Sequence, residues 1–150
     1  MKFAISAALL SLTGVVSATS IASRQGCPQA SRFGNIIVSP TTVSAGDSIN
    51  ISVDLTCGVK NFGIVPQFLD YSIEVPAASN NGFQQPIILA RRAIPAGSLS
   101  DSFTTTIPHG FFVANSNYNI VLSNIYNING TDGSPVLVRG GVLEPITINV

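Results

Sequence analysis

Tryptophan is absent from this chain, histidine occurs once, cysteine twice, and only 9% of the residues are charged. Each scarcity closes off a class of function. Stacking on sugar rings favours flat aromatic side chains. Tyr71 and Tyr118 stand at core-facing positions of strand-like stretches, which leaves Tyr126, Phe83 and the Phe111-Phe112 pair as the candidate binding surface. The single imidazole, His109, sits between Pro108 and Gly110 and cannot supply a copper site that needs two histidines. No Gly-x-Ser-x-Gly or other nucleophile setting accompanies it. The carboxylates are dispersed: Asp70 and Glu74 fall on one strand face about 13 Å apart, whereas a glycosidase needs two that converge in a cleft. The formal net charge is zero and the basic residues form no run, so nucleic acid and anionic lipid find no electrostatic footprint. The chain reads as a non-enzyme with no cofactor.

Long apolar runs are confined to the first residues. Lys2 gives a short positive start, Phe3 to Val16 is apolar with small residues, and Val16-Ser17-Ala18 offers the small side chains a signal peptidase needs. A signal peptide over 1–18 is expected, with cleavage after Ser20 or Ser23 as alternatives. The end of the chain, Glu144 to Val150, alternates like a strand and carries no spacer or apolar tail of a lipid-anchor signal. Release from the cell without a membrane anchor follows. In that oxidising setting Cys27 and Cys57 are expected to form one disulfide, closing a loop of about 30 residues. It would tie an N-terminal segment, 19–34, to a single domain over 35–150.

Strand patterning dominates what remains. Ile49, Ile51, Val53, Leu55 and Cys57 share one parity, and Asn50, Ser52, Asp54 and Thr56 share the other. That alternation predicts a strand over 48–57, buried on one face. Leu69, Tyr71, Ile73 and Val75 mark another, over 68–75, and Tyr118, Ile120 and Leu122 a third, over 118–125. Shorter strands are expected at 33–39, 86–92, 102–107 and 136–150, with Phe111-Phe112-Val113 crossing between sheets. Gly140-Gly141 within the last strand predicts a bulge, and 58–67 reads as a loop. No helical periodicity follows the signal. About seven short strands separated by turns predict an all-β, immunoglobulin-like Greek-key β-sandwich, with a small barrel or jelly roll as the alternative.

Ile36-Ile-Val-Ser-Pro40, Val43-Ser-Ala-Gly-Asp47 and Ile49-Asn-Ile-Ser-Val53 resemble the opening of immunoglobulin-like domains in fungal secreted and cell-wall proteins. These include the N-terminal domain shared by Ser/Thr-rich anchored surface proteins and cell-wall glucan-assembly proteins. Thr104-Thr-Thr-Ile-Pro108 and Tyr118-Asn-Ile-Val-Leu122 are similar to that domain's later strands. The resemblance spans about residues 35 to 125. It implies a fungal extracellular protein, and the chain departs from it in lacking a Trp after the Ala-Gly turn, a Ser/Thr-rich tail and a lipid anchor.

Asn50-Ile51-Ser52 and Asn129-Gly130-Thr131 are N-glycosylation sequons, with Asn129 in a polar hairpin loop the better acceptor. Asn127, Asn129, Thr131 and Asp132 superficially suggest a calcium loop, but Asp132 stands where the turn needs Gly and Val138 where a bidentate Glu belongs. Tyr118, at the start of a strand, is expected to bond backbone near the preceding corner and so to stabilise the crossover. Arg91-Arg92 reads as a charged strand edge, with a dibasic processing site as the alternative. The sum is a secreted binding or interaction module, its partner an extracellular protein or polysaccharide; the alternative is a cell-wall-associated structural or carbohydrate-binding protein.

Overall fold

The strongest alternation in the chain lies at the centre of the fold. In the computed structural model, which describes residues 27–150, Ile49, Ile51, Val53 and Leu55 are all buried between two sheets. The expected signal peptide and the first part of the 19–34 segment lie outside the described residues. The strands are β1 (Asn35–Ser39), β2 (Thr42–Ser44), β3 (Ser48–Asp54), β4 (Pro66–Glu74), β5 (Ile87–Ala93), β6 (Ser100–Thr106), β7 (Tyr118–Asn129) and β8 (Pro135–Asn149). One sheet runs β1-β3-β6 and the other β2-β8-β7-β4-β5. All pairings are antiparallel except β2 with β8.

This is an immunoglobulin-like β-sandwich. The three-stranded sheet corresponds to strands A, B and E, and the five-stranded sheet to A′, G, F, C and C′. Each inner face supplies alternate residues: Ile36 and Val38 from β1, Leu69, Tyr71 and Ile73 from β4, Tyr118, Ile120 and Leu122 from β7. Between β5 and β6, a polar cluster joins the sheets. Asp101 of β6 accepts hydrogen bonds from the Tyr71 hydroxyl (2.9 Å) and from Arg92 Nε (2.7 Å). The Arg92 guanidinium also lies 4.7 Å from the centre of the Phe103 ring, a cation–π contact.

Four expectations need correction. The central strand stops at Asp54, and Cys57 lies in a short helix, α1 (Thr56–Phe62), where strand and loop were expected. Asp54 Oδ1 accepts the Thr56 N–H at 2.8 Å, and Gly63 closes the helix in the left-handed conformation at φ 66°. Bonding to Thr56, through its side chain first and then its N–H, holds the Asp54 carboxyl below its usual pKa. Eight strands stand among the described residues, where about seven were expected, because β2, three residues long, forms inside what reads as a connection. The last strand carries no bulge: its register against β7 is unbroken from Pro135 to Ile146. Gly140 is glycine because the Phe33 ring occupies the place of a side chain there.

Phe33 belongs to the N-terminal segment, which a helical turn at Gln29–Ser31 and the Cys27–Cys57 disulfide fold onto one end of the sandwich. Its carbonyl accepts the Asn124 Nδ2 bond at 3.0 Å, and its ring packs 6.1 Å from that of Tyr126. A Cβ on Gly58 of α1 would come within 2.5 Å of the Arg32 carbonyl. Helix and segment are therefore fitted to one another as well as cross-linked.

Candidate functional site

Of Phe111, Phe112 and Tyr126, only Phe111 stands free. Its ring is 89% exposed, whereas Phe112 is half-buried and meets Tyr118 edge to face at 5.5 Å. Tyr126 is half-buried against Phe33, eight residues along β7 from Tyr118 and so roughly 26 Å away. Phe111, Phe112 and Tyr126 therefore do not form one surface. The neighbour of Phe111 is Phe83, 85% exposed, in the loop between β4 and β5. Together they flank a cleft of about 330 Å³ whose other walls are Ile87, Pro108, His109 and the two glutamines Gln84 and Gln85.

Two hydrogen-bond systems position the phenylalanines. Asn80 organises the first loop: its Oδ1 accepts the N–H groups of Gly82 (2.9 Å) and Gln84 (3.3 Å), and its Nδ2 donates to the Gln84 carbonyl (2.7 Å). Such side-chain-to-backbone bonds replace the ladder that a loop lacks. Tyr118 organises the second. Its hydroxyl accepts the Val113 N–H at 2.8 Å and donates to Gln84 Oε1 at 3.2 Å, so one buried phenol fixes both loops. Gly110 lets the second loop approach β5, since a Cβ there would lie 3.0 Å from Ile87 Cδ1. Tyr118→Phe is expected to lower stability by about 1–2 kcal/mol, because it leaves the Val113 N–H without its acceptor. An unchanged urea midpoint would show that the loops are held by other means.

The remaining sequence candidates are dispersed. Asn129 ends β7 beside the tight Gly130–Ser134 turn, and Asn50 lies in the middle of β3; both are exposed. Asp132 Oδ1 accepts the backbone N–H (3.0 Å) and hydroxyl (2.6 Å) of Ser134, a self-contained turn in place of the calcium loop considered above. The two arginines of β5 face opposite ways, Arg92 inward to Asp101 and Arg91 outward in a two-bond pair with Asp70 (2.6 and 2.7 Å). Bonding to Arg91 holds the Asp70 carboxyl below its ordinary pKa. Among the described residues every carboxylate except Glu144 accepts a hydrogen bond, and no three His, Cys, Asp or Glu side chains gather as metal ligands. Phe83 was legible in the sequence as a candidate contact aromatic beside Phe111-Phe112 and Tyr126; its partnership with Phe111 depends on how the two loops fold together.

No helix among the described residues is long and apolar enough to cross a membrane. No protein-family model matches the chain, and no curated protein matches it. Among solved structures it is similar to the superoxide reductase (neelaredoxin) of Ignicoccus hospitalis, at 13% identity over 77% of this chain and 80% of that one, with a TM-score of 0.45. Two single-site variants of that protein match at 12% and 16% identity, each with a TM-score of 0.44. The first variant match covers 77% of this chain and 80% of the other, the second 80% and 82%. Likeness at that level concerns the layout of strands, and no chemistry is transferred from it.

Proposed function

We propose that this chain is a secreted, non-catalytic binding module that engages an extracellular ligand through the cleft between Phe83 and Phe111. The observation that carries the reading is the exposure of both rings, 85% and 89%, at one mouth. Large apolar side chains left in water together, rimmed by polar groups, mark contact surfaces. Both loops are held by hydrogen bonds of their own, so a ligand need not order them on arrival. The disulfide suits an oxidising, extracellular setting.

A second reading is favoured by the chemistry beside the rings. Gln85 and His109 offer donors and acceptors next to aromatic faces, the combination that recognises the edges and faces of sugars. With the sequence resemblance to fungal cell-wall glucan-assembly and Ser/Thr-rich surface proteins, it supports a wall-associated, carbohydrate-binding role. Retention of the mature protein on insoluble glucan, chitin and cellulose, against an inert resin, separates the readings. Phe83→Ala with Phe111→Ala is expected to abolish retention while changing stability by no more than about 0.5 kcal/mol per site. Absence of retention on every polysaccharide removes the carbohydrate reading. Retention that the double variant keeps removes the cleft.

A further inference from the structure

Strand β8 has one side free over most of its length. Thr147 donates its N–H outward to the Thr41 carbonyl at 2.7 Å, beside the short β2. In an unbulged strand, backbone groups alternate between its two neighbours. The N–H and C=O groups of Leu137, Arg139, Gly141 and Leu143 therefore point the same way as those of Thr147, away from β7. Among the described residues no strand pairs with them. The free stretch ends at two prolines of the same parity, Pro135 and Pro145, whose missing donors cost nothing on that side. The N-terminal segment and the start of β1 lie beside this edge without pairing to it, and clefts of about 310 and 300 Å³ open between residues 29–36 and residues 141–144.

The other sheet edges are guarded. β5 carries two arginines and a register shift against β4, and β1 is five residues long and followed by Pro40. β6 is a seven-residue strand with an inward-pointing charge at Asp101. Charges, irregularities, prolines and short length are the devices that stop sheet edges from pairing. Between Pro135 and Pro145, β8 has only Arg139 as such a device on its free parity.

Its sequence is close to a palindrome. Pro135-Val-Leu-Val-Arg-Gly-Gly-Val-Leu-Glu-Pro145 reads nearly alike from either end, with Gly140 at the centre. We propose that this edge pairs with the same edge of a second copy of the chain, antiparallel about a two-fold axis at Gly140, joining two five-stranded sheets into one. In that register Leu137 faces the other copy's Leu143, and Arg139 faces its Gly141, which leaves room for the guanidinium. Leu137 and Leu143 are 56% and 55% exposed, so their pairing covers two apolar side chains on each half of the interface. Sliding by one hydrogen-bonded pair either sets Arg139 against Arg139 or brings Pro145 opposite Leu137; both are penalised. The four facing pairs each exchange two N–H···O bonds, about eight in all. The paired length also fits its surroundings, ending at the Gly130–Ser134 turn of one copy where β2 begins in the other. A two-fold interface of this kind is self-complementary and closes on itself.

Sedimentation equilibrium of the mature protein tests this, with two double variants that share one substitution. The wild type is expected to be a dimer. Leu137→Lys with Leu143→Lys sets like charges opposite one another twice and is expected to weaken association at least about a hundredfold. Leu137→Lys with Leu143→Glu sets opposite charges in the same places and is expected to restore the dimer. Circular dichroism establishes that each variant is folded; both sites are on the surface. A monomeric wild type overturns the proposal and leaves the edge to a foreign strand. A dimer that both variants keep, or both lose alike while folded, overturns the register.

Discussion

Replacing both cysteines, Cys27→Ser with Cys57→Ser, is expected to lower the unfolding free energy by at least about 3.6 kcal/mol and the midpoint of thermal unfolding by at least on the order of 10 °C. The chain-entropy part follows from the separation of 30 residues between the two positions. Cross-linking restricts the unfolded chain, and the restriction disappears with the bond. A native-state part adds to it. The disulfide holds residues 27–34 on the end of the sandwich, where Phe33 fills the space over Gly140 and its carbonyl satisfies Asn124 Nδ2. Asn124 is buried, and its Oδ1 has no partner. If the segment loosens, its Nδ2 loses its bond too, which is costly for a group away from water. Calorimetry of the oxidised protein and the double-serine variant measures the sum. A difference below about 1 kcal/mol would mean that packing alone fixes the segment.

Asp101→Ala is expected to cost about 3 kcal/mol, because it strips two partners at once. The Asp101 side chain is nearly buried, and it accepts bonds from Tyr71 in one sheet's core and from Arg92 at that sheet's edge. Its removal leaves a buried phenol without an acceptor and a guanidinium without its counter-charge, the costly way to break such a cluster. Half-exposure of Arg92 lets water take up part of that loss, which keeps the figure near the lower end for buried pairs. A pH signature accompanies the cluster. Burial, and then the charge of Asp101, push the Tyr71 hydroxyl well above its ordinary pKa. A group whose pKa is raised by folding stabilises fully below its unfolded value, near 10, and loses that contribution as pH rises beyond it. Urea midpoints are therefore expected to fall above about pH 10 in the wild type, and less steeply in Tyr71→Phe. Parallel curves for the two proteins would show that Tyr71 keeps no special proton.

The parts of this fold that were legible in the sequence are those where apolar residues alternate with polar ones along a strand. β3, β4 and β7 each state their inward set by alternation, and Tyr71, Tyr118 and Leu122 are buried as their parity requires. Helix α1 could not be read that way. Seven residues are too few to show a period, Gly58 argues against a helix, and Leu55 with Cys57 continues the preceding alternation by accident. Asp54 before Thr56 and Gly63 after Phe62 were the available signals, a cap at each end. The Gly140-Gly141 pair misled because a glycine that makes room for a distant ring looks, locally, like a glycine that bends a strand. Tyr126 and Phe111 were grouped by residue type alone; strand length keeps them apart. Pairing of Phe83 with Phe111 is a product of tertiary folding, two loops brought to one end by β4, β5 and β7.

The most direct test of the binding role is a residue-by-residue map of amide shifts as soluble glucan and chitin oligosaccharides are added to the isotope-labelled mature protein. The Phe83–Phe111 cleft predicts shifts confined to residues 83–87 and 108–113, absent in Phe83→Ala with Phe111→Ala. Saturable shifts centred elsewhere, on Tyr126 or the outer face of β7 for example, would contradict the placement of the site in that cleft.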